Sequence, residues 1–158
     1  MGTEIERKFL VRDTRILQGL TGVAIAQGYL SRNPSATVRV RVVDSVGYLT
    51  VKGKTEGISR AEFEYRIPIA EARQLLALCE PGLIEKRRYR IAVAQHIWEV
   101  DVFQGDNEGL IVAEVELGHA KEQPVIPPWI GAEVSDDPRY FNSALSRKPF
   151  LRWGDESQ

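Results

Sequence analysis

The first residues of the chain that could do chemistry lie in its opening stretch, EIERKFLV. Glu4, Glu6 and Lys8 alternate there with the apolar residues Ile5 and Phe9. Successive side chains of a strand point to opposite faces, so the three charged groups would share one face. A pair of carboxylates suits a hard divalent cation, and an ammonium group suits a phosphate oxygen. The chemistry at this face depends on what the charged side chains meet.

Several other segments separate charged from apolar residues with the same period of two. Their charged positions are Arg39 and Arg41; Lys52 and Lys54; Glu62 and Glu64; Lys86, Arg88 and Arg90; Glu99 and Asp101; Glu114 and Glu116. Most segments carry a single sign of charge, whereas an ordinary solvent-facing strand mixes both signs with neutral polar residues. Like charges two residues apart lie about 7 Å from each other and repel. A ligand or metal of opposite charge is therefore expected between them.

The strands that carry these charges predict a closed sheet. An amphipathic sheet with one face in water would explain any single strand, but not the sorting of signs across all of them. About eight strands are enough for a sheet to close, which also removes its exposed edges. The charged face would then line a wet lumen, because burying so many ions in a dry interior is costly. We expect a mainly β (α+β) fold: a closed eight-stranded antiparallel β-barrel with a charged lumen and helices packed on its outside.

Local patterns place the remaining elements. Strict alternation in ATVRVRVV and GYLTVKGKT predicts a hairpin around DSVG, where Asp44 and Gly47 are typical turn residues. The spacing of apolar residues predicts a helix from Glu71 to Cys79. A short helix is expected from about Pro138 to Ser146, within a C-terminal segment that would pack as a lid or plug.

Composition limits the classes of protein. With 158 residues, 43% of them hydrophobic and 27% charged, the chain is expected to form a single soluble domain over residues 1–158. A net charge of -1 provides no global basic field, so nucleic acid is not an expected partner. The lone Cys79 fits a reducing compartment. The charged start and the lack of a long apolar run predict a cytoplasmic protein without a membrane span.

The ordered segments resemble a known family. The stretch EIERKFLV resembles the Glu-x-Glu-x-Lys signature of the triphosphate tunnel metalloenzymes, or CYTH superfamily, which groups class IV adenylate cyclases with thiamine triphosphatases. Further family-like blocks follow in order: QGYLS, VRVR, LTVKGK, RAEFEY, IEKRRY, EVDVF and AEVEL, and PPWIGAEVSDDPRYFNSAL resembles the tail of the short bacterial members. The resemblance implies an eight-stranded tunnel that binds a linear triphosphate with Mg²⁺ or Mn²⁺, as in bacterial inorganic tripolyphosphatases.

The resemblance also implies roles for individual side chains. Metal-binding or supporting carboxylates are expected at Glu4, Glu6, Glu62, Glu64, Glu114 and Glu116. Phosphate-binding cations are expected at Lys8, Arg39, Arg41, Lys52, Lys86 and Arg88. For each of them the alternative is an ion pair that only stabilises the barrel. Asp101 and Glu99 are equally suited to orient the arginines, and Lys54 and Arg90 are expected near a tunnel mouth.

Two catalytic residues are expected, Tyr29 and Lys86. Tyr29 shares its strand face with Gln27 and Ser31, and a packing role is the ordinary interpretation. Nearby positive charge would favour ionisation of its phenol. The matching tyrosine of the short bacterial branch implies a catalytic role, either accepting a proton from water or holding a lysine such as Lys86.

The predicted function is metal-dependent hydrolysis of inorganic tripolyphosphate to pyrophosphate and phosphate. Class IV adenylate cyclase and thiamine triphosphatase are the enzymatic alternatives, with a nucleoside triphosphate or thiamine triphosphate as substrate. The first needs an adenine site and the second an aromatic surface, and no segment plainly provides either. A non-catalytic polyphosphate or nucleotide sensor is the third alternative, although it would gain nothing from acidic strands. Strands left uncovered by few helices also suggest a homodimer.

Overall fold

The computed structural model describes residues 2–157, with side chains described over residues 2–154. Its strands are β1 Thr3–Val11, β2 Val23–Ser31, β3 Ala36–Val43, β4 Val46–Gly53, β5 Ser59–Ile67, β6 Ile84–Val93, β7 His96–Phe103, β8 Ile111–Glu116 and β9 Ile130–Glu133. Its α-helices are α1 Ile69–Leu78 and α2 Asn142–Arg147, and 3₁₀ turns span Thr14–Leu17, Gly105–Asn107, Pro138–Tyr140 and Phe150–Ser157. None of the helices in this part of the chain is long and apolar enough to cross a bilayer.

Eight of these strands close into an antiparallel barrel, which confirms the predicted fold. Their order is β5-β4-β3-β2-β6-β7-β8-β1, and β1 pairs back with β5. This closing seam is short, with three pairs from Thr3–Ala61 to Ile5–Ser59. Strand β9 is an addition that pairs with β1 outside the eight. Its four residues follow two prolines and lack strict alternation, so no strand could be predicted there from the sequence.

The apolar faces of β1, β7 and β8 point outward, as their alternation predicts. Trp98 is fully buried in this outer core, with its ring 5.4 Å from Phe9 and 6.0 Å from Trp129. Trp129 belongs to the segment between β8 and β9, so this irregular segment, together with Ile16 and Leu17 of a 3₁₀ turn, covers this side of the barrel.

Helix α1 packs on the outside of β2, β3 and β4, as predicted for the helices. Its approach is close, because a Cβ added to Gly47 would lie 2.5 Å from the Cβ of Ala72. Gly47 therefore serves helix packing within β4, and the prediction that it is a turn residue is wrong. The turn residue is Asp44, which adopts the left-handed conformation with φ 52°.

Helix α2 plugs one end of the barrel. Leu145 is fully buried among Ile84, Phe103 and Val112, which lie on the lumen face of their strands. The predicted plug is thereby confirmed, with its helix divided into a 3₁₀ turn and α2 because Phe141 is extended (ψ 137°). At the end of the barrel that α2 closes, the lumen is consequently filled with apolar side chains.

Candidate active site in the barrel lumen

A cavity of about 250 Å³ lies in the lumen beside the plug, and all eight barrel strands contribute to its wall. The structure brings every predicted site residue together at this cavity: Glu4, Glu6, Lys8, Tyr29, Arg39, Arg41, Lys52, Glu62, Glu64, Lys86, Arg88, Glu114 and Glu116. The sequence therefore predicts correctly, for each strand, which alternate residues face the lumen.

Glu6 and Glu114 form a carboxylate pair on the neighbouring strands β1 and β8. Burial and the charges of Glu114 and Glu4 raise the pKa of Glu6 well above its ordinary value. Burial also opposes ionisation of Glu114, but Lys8, Arg88 and Lys86 outweigh it and hold the pKa of Glu114 well below its usual range. The side chain of Glu6 also lowers the pKa of Glu114, so Glu6 is the weaker acid of the pair.

The outer carboxylates surround a lysine. Lys52 Nζ lies 2.9 Å from Glu4 Oε1 and 3.3 Å from Glu62 Oε2, which places one ammonium between β1 and β5. The nearby Glu116 has a raised pKa because of its burial and the charges of Glu4 and Glu62. Negative charge is thus in excess on this side of the cavity.

These carboxylates fit a hard divalent cation in their chemistry but are not yet arranged around one. Among the described residues, no three acidic, histidine or cysteine side chains are grouped closely enough to hold a metal ion. Lys52 forms ion pairs with two of the carboxylates, Glu4 and Glu62. The donor set is nevertheless all oxygen, which Mg²⁺ and similar ions prefer. Burial is the largest cause of the raised pKa values of Glu6 and Glu116, and repulsion from neighbouring carboxylates, which a cation would relieve, adds to it. Metal binding therefore requires these side chains to shift away from Lys52.

The opposite wall carries arginines with incomplete partners. Arg39 Nη2 donates to Thr50 Oγ1 at 3.2 Å and lies 3.7 Å from Glu64. Its Nε is buried and has no hydrogen-bond partner among the described residues. Such a buried donor costs about 1–3 kcal/mol when it is left unsatisfied. An anion in the cavity would remove this cost.

Arg41 is buried beside a neutral partner. Its Nε donates to Gln27 Oε1 at 2.8 Å. Burial and the positive charges of Arg39 and Arg88 lower the pKa of Arg41 to about 9. Clustered guanidinium groups of this kind suit a polyanion, since arginine binds phosphate oxygens through parallel hydrogen bonds.

Lys86 lies at the inner end of the cavity. Its Nζ is 2.7 Å from Asp101 Oδ2 and donates to Asn142 Oδ1 at 3.0 Å. Burial lowers the pKa of Lys86 to about 7, and Arg88 and Arg41 act in the same direction while Asp101 opposes them. An amine with this pKa changes its charge near neutral pH.

Asp101 orients two cations at once. Arg88 donates to it through Nε at 2.7 Å and Nη2 at 2.9 Å. Burial disfavours the charged carboxylate, but Lys86 and Arg88 hold the pKa of Asp101 below its usual range. Glu99 lies 3.4 Å from Arg88 and 3.1 Å from Arg90. Asp101 and Glu99 therefore orient the arginines, as the alternative interpretation of the sequence expected.

Tyr29 is 5% exposed and pairs with Arg39 across β2 and β3. In the described chain the hydrogen-bonding and ionic side-chain partners of Lys86 are Asp101 and Asn142, and the expectation that Tyr29 holds Lys86 stays a prediction. Its other expected role, accepting a proton from water, stays a prediction.

Lys8 connects the acidic wall to the plug. Its Nζ lies 3.5 Å from Glu114 Oε1, donates to Tyr140 O at 3.2 Å and faces the Phe141 ring at 5.7 Å. Burial opposes its charge, but Glu114 and Glu6 outweigh it and raise the pKa of Lys8.

A second hollow of about 460 Å³ adjoins the cavity next to α2. We call it the basic mouth, because its lining includes five cations and no carboxylate: Arg32, Lys54, Arg60, Arg147 and Lys148. It shares Thr37 and Phe141 with the cavity wall. Lys54 lies at this mouth, as predicted, and Arg90 is 72% exposed.

Sequence reasoning missed Asn142 as a site residue and assigned Gln27 no role. Gln27 is fully buried on the face of Tyr29, so strand parity alone could have found it. Asn142 follows an irregular segment, where no period assigns a direction to a side chain.

Known proteins resemble the chain over most of its length. The CYTH domain family model matches residues 2–143. An inorganic triphosphatase of Acetivibrio thermocellus is 48% identical over 151 residues, 95% of this chain and 97% of that protein. An inorganic triphosphatase of Nitrosomonas europaea is 37% identical over 148 residues, 91% of this chain and 97% of that protein. The crystal structure of an inorganic triphosphatase aligns with a TM-score of 0.66 at 34% identity, covering 90% of this chain and 96% of the other.

Proposed function

The chain belongs to the CYTH domain family, and on that premise we propose that it is a metal-dependent enzyme that hydrolyses inorganic tripolyphosphate to pyrophosphate and phosphate. The observation that carries the proposal is the buried, unsatisfied Nε of Arg39, which points to an anion as the missing partner in a cavity that is also lined by seven carboxylates. The names of the curated relatives support the same substrate.

The cationic residues bind the phosphate oxygens in this proposal. Arg39 and Arg41 offer guanidinium groups without a full anionic partner, and Lys86 lies at the inner end. The remaining contacts are assigned to Lys8, Lys52 and Arg88. Glu4 and Glu62, the two carboxylates that pair with Lys52, would hold the metal, and the ammonium group of Lys52 would then be available to phosphate oxygens.

The carboxylates hold Mg²⁺ or Mn²⁺ in this proposal: Glu4, Glu6, Glu62, Glu64, Glu114 and Glu116. When bound, such an ion neutralises phosphate oxygens and steadies the charge that develops during phosphoryl transfer. Metal binding would favour the ionised form of Glu6, whose pKa is raised in the fold, because carboxylate ligands must be ionised.

Lys86 takes the proton of the attacking water. The side-chain nitrogen of Lys86 has three positions for hydrogen bonds. Asp101 and Asn142 occupy two of them, and the third is left for a group in the cavity that Lys86 lines. In the neutral form, which a pKa of about 7 makes accessible, this position accepts a proton. The water oxygen bonds to the terminal phosphorus, the bridging P–O bond breaks, and pyrophosphate leaves. Tyr29 positions the water.

The alternatives with a ring-bearing substrate find less support. Trp98 and Trp129 lie in the core outside the barrel, so they offer no surface to an adenine or thiamine group in the lumen. A sensor has no use for seven carboxylates beside its ligand. A phosphate-release assay with tripolyphosphate, ATP and thiamine triphosphate, with and without Mg²⁺ or Mn²⁺, tests the proposal. Faster release from ATP, or intact tripolyphosphate after long incubation with metal, would contradict it.

We also propose a cytoplasmic homodimer. Phe63 and Tyr65 are 49% and 57% exposed on the outer face of β5, beyond the strands that α1 contacts. Light scattering of the Phe63→Ser, Tyr65→Ser double variant tests the assembly, since a dimer through this face would dissociate.

A further inference from the structure

Asn142, the first residue of α2, joins the plug to two cations of the lumen. Its Oδ1 accepts a hydrogen bond from Lys86 Nζ and another from Gln27 Nε2, both at 3.0 Å. Gln27 in turn accepts from Arg41 Nε at 2.8 Å. A chain of four side chains, Arg41, Gln27, Asn142 and Lys86, therefore runs from β3 through β2 and α2 to β6.

The chemistry of arginine fixes the direction of both amides. A guanidinium group has donors and no acceptor, so the group of Gln27 that faces Arg41 must be its oxygen. The nitrogen of Gln27 consequently faces Asn142, and the group that receives it must be the oxygen of Asn142. Reversing either amide would set donor against donor in a buried place.

This direction leaves the nitrogen of Asn142 unused. Within the described part of the chain, Nδ2 forms no hydrogen bond, and Asn142 contributes to the cavity wall. Its two N–H groups are therefore available at the inner end of the cavity, next to the amine of Lys86.

We propose that Asn142 is a substrate-binding and positioning residue, whose Nδ2 donates to an oxygen of the bound triphosphate while its Oδ1 positions Lys86 and, through Gln27, Arg41. The inference rests on the proposed function for the identity of the substrate. It makes the C-terminal segment part of the site, because α2 supplies a group that no barrel strand supplies.

The helix is fixed firmly enough for this task. Leu145 anchors it inside the barrel with no exposed surface. Arg32 Nε donates to Ser146 Oγ at 2.8 Å and Arg32 also pairs with Glu80, which ties α2 to the end of α1. A side chain mounted in this way keeps its direction when the substrate arrives.

Two substitutions separate the functions of the two ends of the amide. Asn142→Asp keeps an oxygen for Lys86 and Gln27 but replaces the free N–H groups with negative charge, so KM for tripolyphosphate rises about tenfold or more. Asn142→Ala removes both ends, and kcat/KM falls about tenfold to hundredfold with a decrease in kcat. Gln123→Glu, the same amide-to-acid change at an exposed residue outside both cavities, is the control and stays within about twofold of the parent protein.

A merely structural role would lower the melting temperature and leave kcat and KM of the folded enzyme unchanged. Unchanged kinetics in both Asn142 variants would overturn the inference, whether or not the melting temperature falls. So would a loss of kcat/KM in Gln123→Glu as large as that in Asn142→Asp.

Binding measurements distinguish this inference from the proposed function. Calorimetric titration with sodium tripolyphosphate in Ca²⁺ buffer should show weaker binding by Asn142→Asp than by Gln123→Glu, about tenfold. If the parent protein binds tripolyphosphate without cleaving it, the proposed hydrolysis fails and the inference stands. If the parent protein and Asn142→Asp bind it equally, or if neither binds it, the inference is wrong.

Discussion

Lys86 Nζ lies 2.7 Å from Asp101 Oδ2, with 0% and 1% of the two side chains exposed. A buried ion pair of this kind adds little net stability compared with an apolar pair, but removal of one partner is costly. Asp101 also receives two hydrogen bonds from Arg88. It therefore stays ionised while Lys86 titrates, which is the combination that a proton-accepting amine requires.

The pH dependence of hydrolysis should follow Lys86. Because its pKa is lowered to about 7, the amine is charged below that pH and neutral above it. We expect kcat/KM at fixed free Mg²⁺ to rise with pH through about 7, and Lys86→Arg to lose this rise with at least a hundredfold of activity. Lys121→Arg is the control. An active Lys86→Arg enzyme with the parent pH profile would assign Lys86 a purely electrostatic role.

Asp101→Asn should destabilise the fold. The substitution leaves Lys86 and Arg88 buried without their carboxylate, and we expect a loss of about 3–5 kcal/mol in the free energy of unfolding at pH 7. The pKa of Asp101 is lowered in the fold, so its contribution is present above the unfolded pKa of about 3.9 and is lost as pH falls through the folded value. Urea titrations at pH 7 and pH 3 measure this. Asp137→Asn, in a surface pair, should change little at either pH.

Divalent cations should stabilise the protein without substrate. At a concentration of Mg²⁺ or Mn²⁺ about 100 times the Kd, binding adds about 2.7 kcal/mol, or roughly 5–10 °C in Tm for a chain of this size. Because the pKa of Glu6 is raised, binding should weaken as pH falls. Glu6→Gln should abolish most of the Tm shift, whereas Glu71→Gln on α1 should retain it. An equal shift in both variants would remove Glu6 from the metal site.

Arg39 should be essential for turnover. Loss of one central cation is expected to cost about 3 kcal/mol of transition-state stabilisation, about a hundredfold in kcat/KM. Arg39→Ala should show this loss, and Arg39→Lys should recover only part of it because lysine lacks the Nε donor. Steady-state assays with Arg73→Ala as an exposed control measure the difference. Full activity of Arg39→Ala would contradict the anion site.

The basic mouth should speed capture of the substrate. Lys54→Glu combined with Arg147→Glu is expected to lower kcat/KM severalfold at low salt, and less as salt screens the charges, while kcat stays constant. Lys121→Glu combined with Arg152→Glu changes the net charge equally at other places. If this pair lowers kcat/KM as much, net charge and not the mouth attracts the substrate.

The sequence predicted the barrel and its lining because a period of two assigns each strand residue to a face. It failed where that period ends or where two elements meet. Gly47 is typical of a turn, yet its role is set by the approach of Ala72 from a distant helix. Asn142 follows a segment without periodicity, so only the packing of Leu145 could show which way it points.

The pairing of charges was also beyond the sequence. Glu4 and Glu62 were expected to hold a metal ion, and the structure places Lys52 between them. Side-chain reach across a lumen depends on strand tilt and register, which the order of residues along the chain does not specify.

Because β1 and β5 pair over a short stretch, the ion pairs of Lys52 contribute to holding the two strands together. The ammonium group of Lys52, on β4, pairs with Glu4 of β1 and with Glu62 of β5. In the described chain, only three residue pairs join the backbones of these two strands. A divalent ion that displaced Lys52 and bound both carboxylates would link the same two strands with twice the charge of the ammonium group. Cation binding would then also stabilise the closure of the barrel. Backbone amides of β1 and β5 would exchange with solvent more slowly once the ion is bound.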